Sequence, residues 1–106
     1  MAKYLFSGSY TEAGLQGLLK EGGSGRREAT ERLIKSLGGS LEAYYFAFGG
    51  QDFYLIADLP DNRAAAAGSL VAAASGAVRP VTTVLLTPEE IDEAVSRTVD
   101  YRPPGR

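Results

Sequence analysis

The chain contains no cysteine and no histidine. Disulfides, thiolate nucleophiles, Cys/His zinc sites, axial-His haem and a Ser-His-Asp triad are therefore ruled out. A metal would need carboxylates alone, and acid–base chemistry falls to Asp, Glu, Tyr, Lys or Arg; no metal and no cofactor are expected. Positive charge is not in excess either. Eleven Lys+Arg against 13 Asp+Glu give a formal net charge of -2, whereas affinity for duplex nucleic acid comes largely from neutralised phosphates. Nucleic acid is not an expected partner. Long apolar runs are missing as well: Gly68 and Ser69 interrupt the Ala-rich stretch between Ala64 and Ala74, far short of the ~18 residues of a membrane span. Met1 to Phe6 meets Ser7-Gly8-Ser9 too soon for a signal-peptide core. A cytoplasmic location without a membrane partner is the expectation. What remains is 106 residues, 44% of them hydrophobic, enough for one domain with a modest core.

Periodicity gives the order of elements. From Lys3 to Tyr10, Tyr4, Phe6 and Tyr10 alternate with Leu5, Ser7 and Ser9, the period of a strand. Thr11-Glu12 opens a short helical piece that breaks at Gly22-Gly23-Ser24-Gly25, since such a cluster is costly inside a helix. A second helical piece runs from about Arg26 to Leu37, with Ala29, Leu33, Ile34 and Leu37 on one face, and Gly38-Gly39 closes it. Leu41 to Phe48 reads as a strand, Gly49-Gly50-Gln51 as a hairpin connection and Asp52 to Leu59 as a third strand. Asp61 caps an alanine-rich helix ending near Gly76, whose small side chains let it approach a sheet closely. Val78 to Leu86 is a fourth strand, placed at an edge by Pro80. Thr87-Pro88-Glu89-Glu90 starts a last helix, expected over 88–99, with Ile91, Ala94 and Val95 as its apolar stripe. Residues 1–100 thus form one domain and 101–106 a flexible Pro-rich tail. The order is that of an α+β, ferredoxin-like βαββαβ fold with an antiparallel four-stranded sheet and helices on one face.

The second face of that sheet is unusually apolar. Were it open to water, its strands would alternate cleanly. Instead Tyr44, Phe46 and Phe48 oppose Leu41, Ala43, Tyr45 and Ala47, and Tyr54 and Ile56 oppose Phe53, Leu55, Ala57 and Leu59. Soluble monomers rarely expose such a patch, so a homodimer or higher oligomer, sheet on sheet, is expected.

Gly38-Gly39-Ser40-Leu41, then Gly49-Gly50-Gln51-Asp52-Phe53, then Ile56-Ala57-Asp58-Leu59-Pro60-Asp61 resemble the GYD domain family in order and spacing. Tyr10-Thr11-Glu12-Ala13-Gly14 and Thr87-Pro88-Glu89-Glu90 extend the likeness over about Tyr4 to Glu90. The resemblance implies a dimeric ferredoxin-like α/β barrel. Asp52 of the Gly-Tyr-Asp signature is kept, while Gln51 stands in place of the tyrosine. Function has to be read from a site rather than from the fold.

Five residues are candidate ligand-binding groups: Tyr10, Tyr45, Tyr54, Asp52 and Arg79. Asp52, beside Tyr45, Phe53 and Tyr54, is the candidate catalytic carboxylate, a base with its pKa raised by apolar neighbours; the alternative is a turn residue whose carboxylate accepts backbone N–H bonds. Tyr4, Tyr10, Tyr44, Tyr45 and Tyr54 offer five phenols to line an apolar cavity, or else simply pack. Arg79 pairs with Asp52 or Asp58, clamps an anion, or guards an edge. Gly22 to Arg27 lacks the spacings of a phosphate-binding loop and reads better as a helix break. Glu89, Glu90, Asp92 and Glu93 suit a helix start. The leading reading is a homo-oligomeric small-molecule-binding or accessory protein that holds a small apolar, oxygenated metabolite through tyrosines. A cofactor-free enzyme of isomerase, cyclase or monooxygenase type, with Asp52 as base and Tyr45 or Arg79 as oxyanion partner, and a purely structural or interaction module are the alternatives.

Overall fold

The computed structural model describes all residues, 1–106. Seven elements follow one another: β1 (Ala2–Tyr10), α1 (Glu12–Ser36), β2 (Ser40–Phe46), β3 (Phe53–Leu59), α2 (Asn62–Ala74), β4 (Val78–Leu85) and α3 (Pro88–Val95). The four strands form one antiparallel sheet in the order β2-β3-β1-β4, the ferredoxin-like arrangement read from the sequence. Pro80 lies on the edge strand β4, opposite Gly8 of β1.

One face of the sheet carries the core. Tyr4 and Phe6 of β1 and Phe53, Leu55, Ala57 and Leu59 of β3 point to the helices, where Ile34 of α1 and Ala65 of α2 cover them. Tyr4 is fully buried, and its hydroxyl donates to Asn62 Oδ1 at 2.7 Å, so the polar end of this core side chain is satisfied where it lies. Asp61 accepts from Ala64 N at 2.9 Å and starts α2. Thr87 and Glu90 close a capping box at the start of α3.

Three local expectations are narrowed or corrected. The helix break expected at the glycine cluster is present and confined to one residue: Gly22 (φ 76°, ψ 172°) alone leaves helical geometry, and two helical stretches meet there at a kink. One positive-φ residue suffices to bend the axis, and Gly23 then lies against the Phe46 ring, where a Cβ would stand 3.2 Å from Cε2. In β2 a bulge between Leu41 and Ala43 changes the parity of the strand, so Leu41 packs against the core with Tyr44 and Phe46 rather than opposing them. β2 also ends at Phe46, leaving Phe48 80% exposed. There the backbone turns inward: Ala47 N donates to Asp52 O at 2.8 Å and Asp52 N to Gly8 O at 2.7 Å.

The far face of the sheet bears Leu5, Ala43, Tyr45, Tyr54, Ile56, Val81 and Leu85, mixed with Lys3, Ser7, Asp58, Arg79 and Thr83. Neither α1 nor α2 covers it. Lys3 donates to Asp58 at 3.0 Å and to Glu42, the bulged residue. Every residue of α3 is exposed, and the helix stops at Val95 rather than reaching residue 99; with no buried face, so short a helix has little to extend it. The radius of gyration of 16.8 Å exceeds the roughly 13 Å of a domain of this length, as an unpacked C-terminal arm requires. No helix is long and apolar enough to cross a membrane.

Candidate functional site

Between the helix-covered face of the sheet and the two helices lies a cavity of about 260 Å³. Its floor is Phe6, Tyr10, Tyr44 and Phe53, and its walls come from Arg26 to Leu37 of α1 and Gly68 to Ser75 of α2. The helices meet where Leu37 lies over Gly68; a Cβ at Gly68 would be 3.0 Å from Leu37 Cδ1. The wall from α2 and its C-cap is mostly of small residues, Gly68, Ser69, Ala72 and Ser75 beside the one larger Val71, which leaves space beside the sheet unfilled.

The lining is mostly apolar, and most of its hydroxyls are already engaged. Thr30 Oγ1 donates to Arg26 O at 3.0 Å, Ser75 Oγ to Ala72 O at 2.6 Å, and Ser69 bonds to Thr82. Two phenols and one guanidinium are left. The hydroxyls of Tyr10 and Tyr44 are 3.2 Å apart, held in an aromatic cluster in which Phe53 lies 5.5 Å from Tyr10 and 6.3 Å from Tyr44, centroid to centroid. Burial, and then the bond to Tyr44, push the Tyr10 phenol well above its ordinary value of 10.0, against a smaller opposing pull from Arg26. It stays protonated and able to donate at neutral pH. Arg26 Nε is shut off from solvent and has no hydrogen-bond partner. Glu21 Oε1 stands 3.7 Å from it, near enough for charge attraction and too far for a hydrogen bond.

The predicted site residues do not converge. Tyr10 lines the cavity. Asp52 lies outside the lining: its Oδ2 accepts from Tyr10 N at 2.9 Å, and its main chain ties the β2–β3 turn to β1. Tyr45, 71% exposed, and Tyr54, 40% exposed, are cross-strand neighbours on the far face. Arg79 is exposed on β4 opposite Ser9 and makes no ion pair; Asp58, a partner considered for it, is held by Lys3. On α3, Glu90 serves the capping box and Glu93 pairs with Arg97. Arg26 enters the sequence reading only within the Gly22 to Arg27 phosphate-loop pattern that is set aside there, and its place in this cavity is missed. It was legible in the spacing, because it stands three, seven, eight and eleven positions before Ala29, Leu33, Ile34 and Leu37, on the same helical stripe.

The family model described as GYD domain matches residues 4–95 of the chain. The chain belongs to the GYD domain family. Neither a curated protein nor a solved structure matches it. The match covers β1 to α3, and so takes in every side chain of the cavity. In this GYD chain, Asp52 sits at the β2–β3 turn, one hydrogen bond from the backbone of a cavity tyrosine.

Proposed function

We propose that this GYD-family protein is a homo-oligomeric small-molecule-binding protein whose ligand occupies the cavity between the sheet and helices α1 and α2. The observation that carries the reading is the cavity itself, apolar over most of its wall with the Tyr10–Tyr44 hydroxyl pair at one side. Small-molecule sites are typically of this make-up, apolar with a few convergent polar groups. A cavity of ~150 Å³ takes benzene, so about 260 Å³ suits a substituted ring or a branched chain of similar bulk. Cofactor-free catalysis with Asp52 as base draws no support from this cavity, since its lining holds no carboxylate.

A second copy of the chain is the proposed cover for the far face. That face spans roughly 500 Å² in projection, from four strands at ~4.8 Å spacing, against ~800 Å² per partner in a standard interface. The exposed apolar side chains of α3, Ile91 and Val95, supply further area of the same character. Native mass spectrometry of freshly purified protein tests both parts together. An oligomer with a bound small molecule supports the reading. A monomer at micromolar concentration removes the self-association, and a chain on which no apolar probe perturbs Leu33 or Ala72 removes the cavity as a binding site.

A further inference from the structure

We infer that the cavity selects a monoanion: a small aromatic or branched carboxylic acid whose carboxylate lies between Arg26 and the Tyr10–Tyr44 hydroxyls and whose apolar body fills the space over Phe6 and Phe53. The inference rests on the cavity being a binding site and adds the chemical class of what it takes.

Three observations converge. First, Arg26 is the one cationic residue of the lining, and its Nε–H has no acceptor although it is cut off from solvent. Buried polar groups in folded proteins are nearly always hydrogen-bonded, so an unpaired one at a cavity wall marks a place where an acceptor belongs. Glu21 does not meet that need at 3.7 Å. Second, Arg26, Tyr10 and Tyr44 line the same cavity, and the Tyr10 phenol feels the Arg26 and Glu21 charges in opposite senses. Within the Tyr10–Tyr44 pair one hydroxyl donates to the other, which leaves one O–H for a ligand oxygen. Third, the hydroxyls of Thr30, Ser69 and Ser75 are spent on internal bonds, so no second polar pole exists in the cavity. A single planar anion with an apolar remainder fits these donors; guanidinium and carboxylate match in geometry. A phosphate dianion would bury two charges against one cation, which an apolar wall disfavours.

Glu21 precedes the Gly22 kink and Arg26 follows it, so the loose pair spans the kink and an incoming carboxylate competes with Glu21 for the guanidinium. Replacing Glu21 by Gln therefore strengthens binding of the acid, while replacing Arg26 weakens it.

The full-length protein is titrated with benzoate, benzamide and phenyl phosphate, followed by calorimetry and by NMR shifts of Leu33 and Ala72. Benzoate is expected to bind about tenfold or more tighter than benzamide, the ratio a hydrogen bond to a charged group supplies. Arg26→Gln removes the preference for benzoate over benzamide, and Glu21→Gln raises benzoate affinity. Equal binding of benzoate and benzamide to the unaltered protein overturns the anion assignment and leaves the cavity standing. Tighter binding of phenyl phosphate overturns the carboxylate. Failure of all three probes to shift Leu33 or Ala72 overturns the cavity and this inference together.

Discussion

Replacing Asp52 separates two roles for the carboxylate that the GYD signature keeps. Its Oδ2 accepts the N–H of Tyr10 at 2.9 Å, at the end of β1, while its own N–H reaches Gly8 O. Asp52→Ala deletes the acceptor and leaves the Tyr10 N–H without its partner, a loss of about 1–3 kcal/mol. Asp52→Asn retains an amide oxygen in the same place and gives up the charge assistance alone, so about 0.5–1 kcal/mol is expected. For 106 residues the entropy of unfolding is about 0.22 kcal/mol/K. Asp52→Ala should therefore lower Tm by about 5–13 °C and Asp52→Asn by about 2–5 °C. Scanning calorimetry reads the first quantity, and benzoate titration of Asp52→Asn reads the second. The expected pair is a lowered Tm with benzoate binding unchanged. An Asn variant as stable as the parent that no longer binds would refute the structural assignment and return Asp52 to the ligand site.

Four further outcomes follow from the geometry. Leu59→Ala, at a fully buried position in β3, should cost about 2–5 kcal/mol in urea unfolding; a loss below 1 kcal/mol would mean that β3 is not the centre of the core. Gly14→Ala would put a Cβ 1.9 Å from Ala77 O, so α1 must lift from the α2–β4 turn. A cost of at least about 1–3 kcal/mol, with weakened amide protection at Thr11, whose N–H donates to Ala77 O, is the expected sign. The Lys3 ammonium is held above its usual 10.5 by its hydrogen bonds to Glu42 and then Asp58. Because the folded value is the raised one, its stabilisation is complete below 10.5 and is lost as pH climbs through the folded value. Urea midpoints from pH 9 upward should thus fall more steeply for the parent than for Lys3→Met, and parallel curves would refute this. The Tyr10 phenol should ionise above its ordinary value of 10.0, so Tyr10→Phe should remove absorbance change from the alkaline end of the phenolate titration; an unchanged alkaline limb would contradict the burial argued for it.

The fold was readable because its signals are local and mutually consistent. Tyr4, Phe6 and Tyr10 share one side of β1 as their spacing demands, Pro80 marks an edge, and Asp61 and Thr87 cap the helices they precede. The errors arose where one residue changes a phase. The bulge at Glu42 moves Leu41 to the core side, and nothing in a hydrophobic pattern announces an inserted residue. The site was harder to read for a related reason. Of five phenols that alternate on strands, the structure aims Tyr10 and Tyr44 at the cavity, ties Tyr4 to Asn62, and leaves Tyr45 and Tyr54 on the other face. Which strands border a void depends on the volume that α2 fails to fill, and that is a property of packing rather than of period. Arg26 carried a signal, but a cation on an apolar helical stripe next to a glycine cluster draws attention to the glycines.

Because residues 88–106 contribute nothing to the buried core, natural selection sees them separately from it. A substitution at Ile91 or Val95, both exposed, costs the core of a single chain little, so the folding of one chain imposes little restraint on their hydrophobicity. Any persistence of that greasy edge across descendants of this chain would be a record of what the arm touches in the cell, written independently of the record kept by the core.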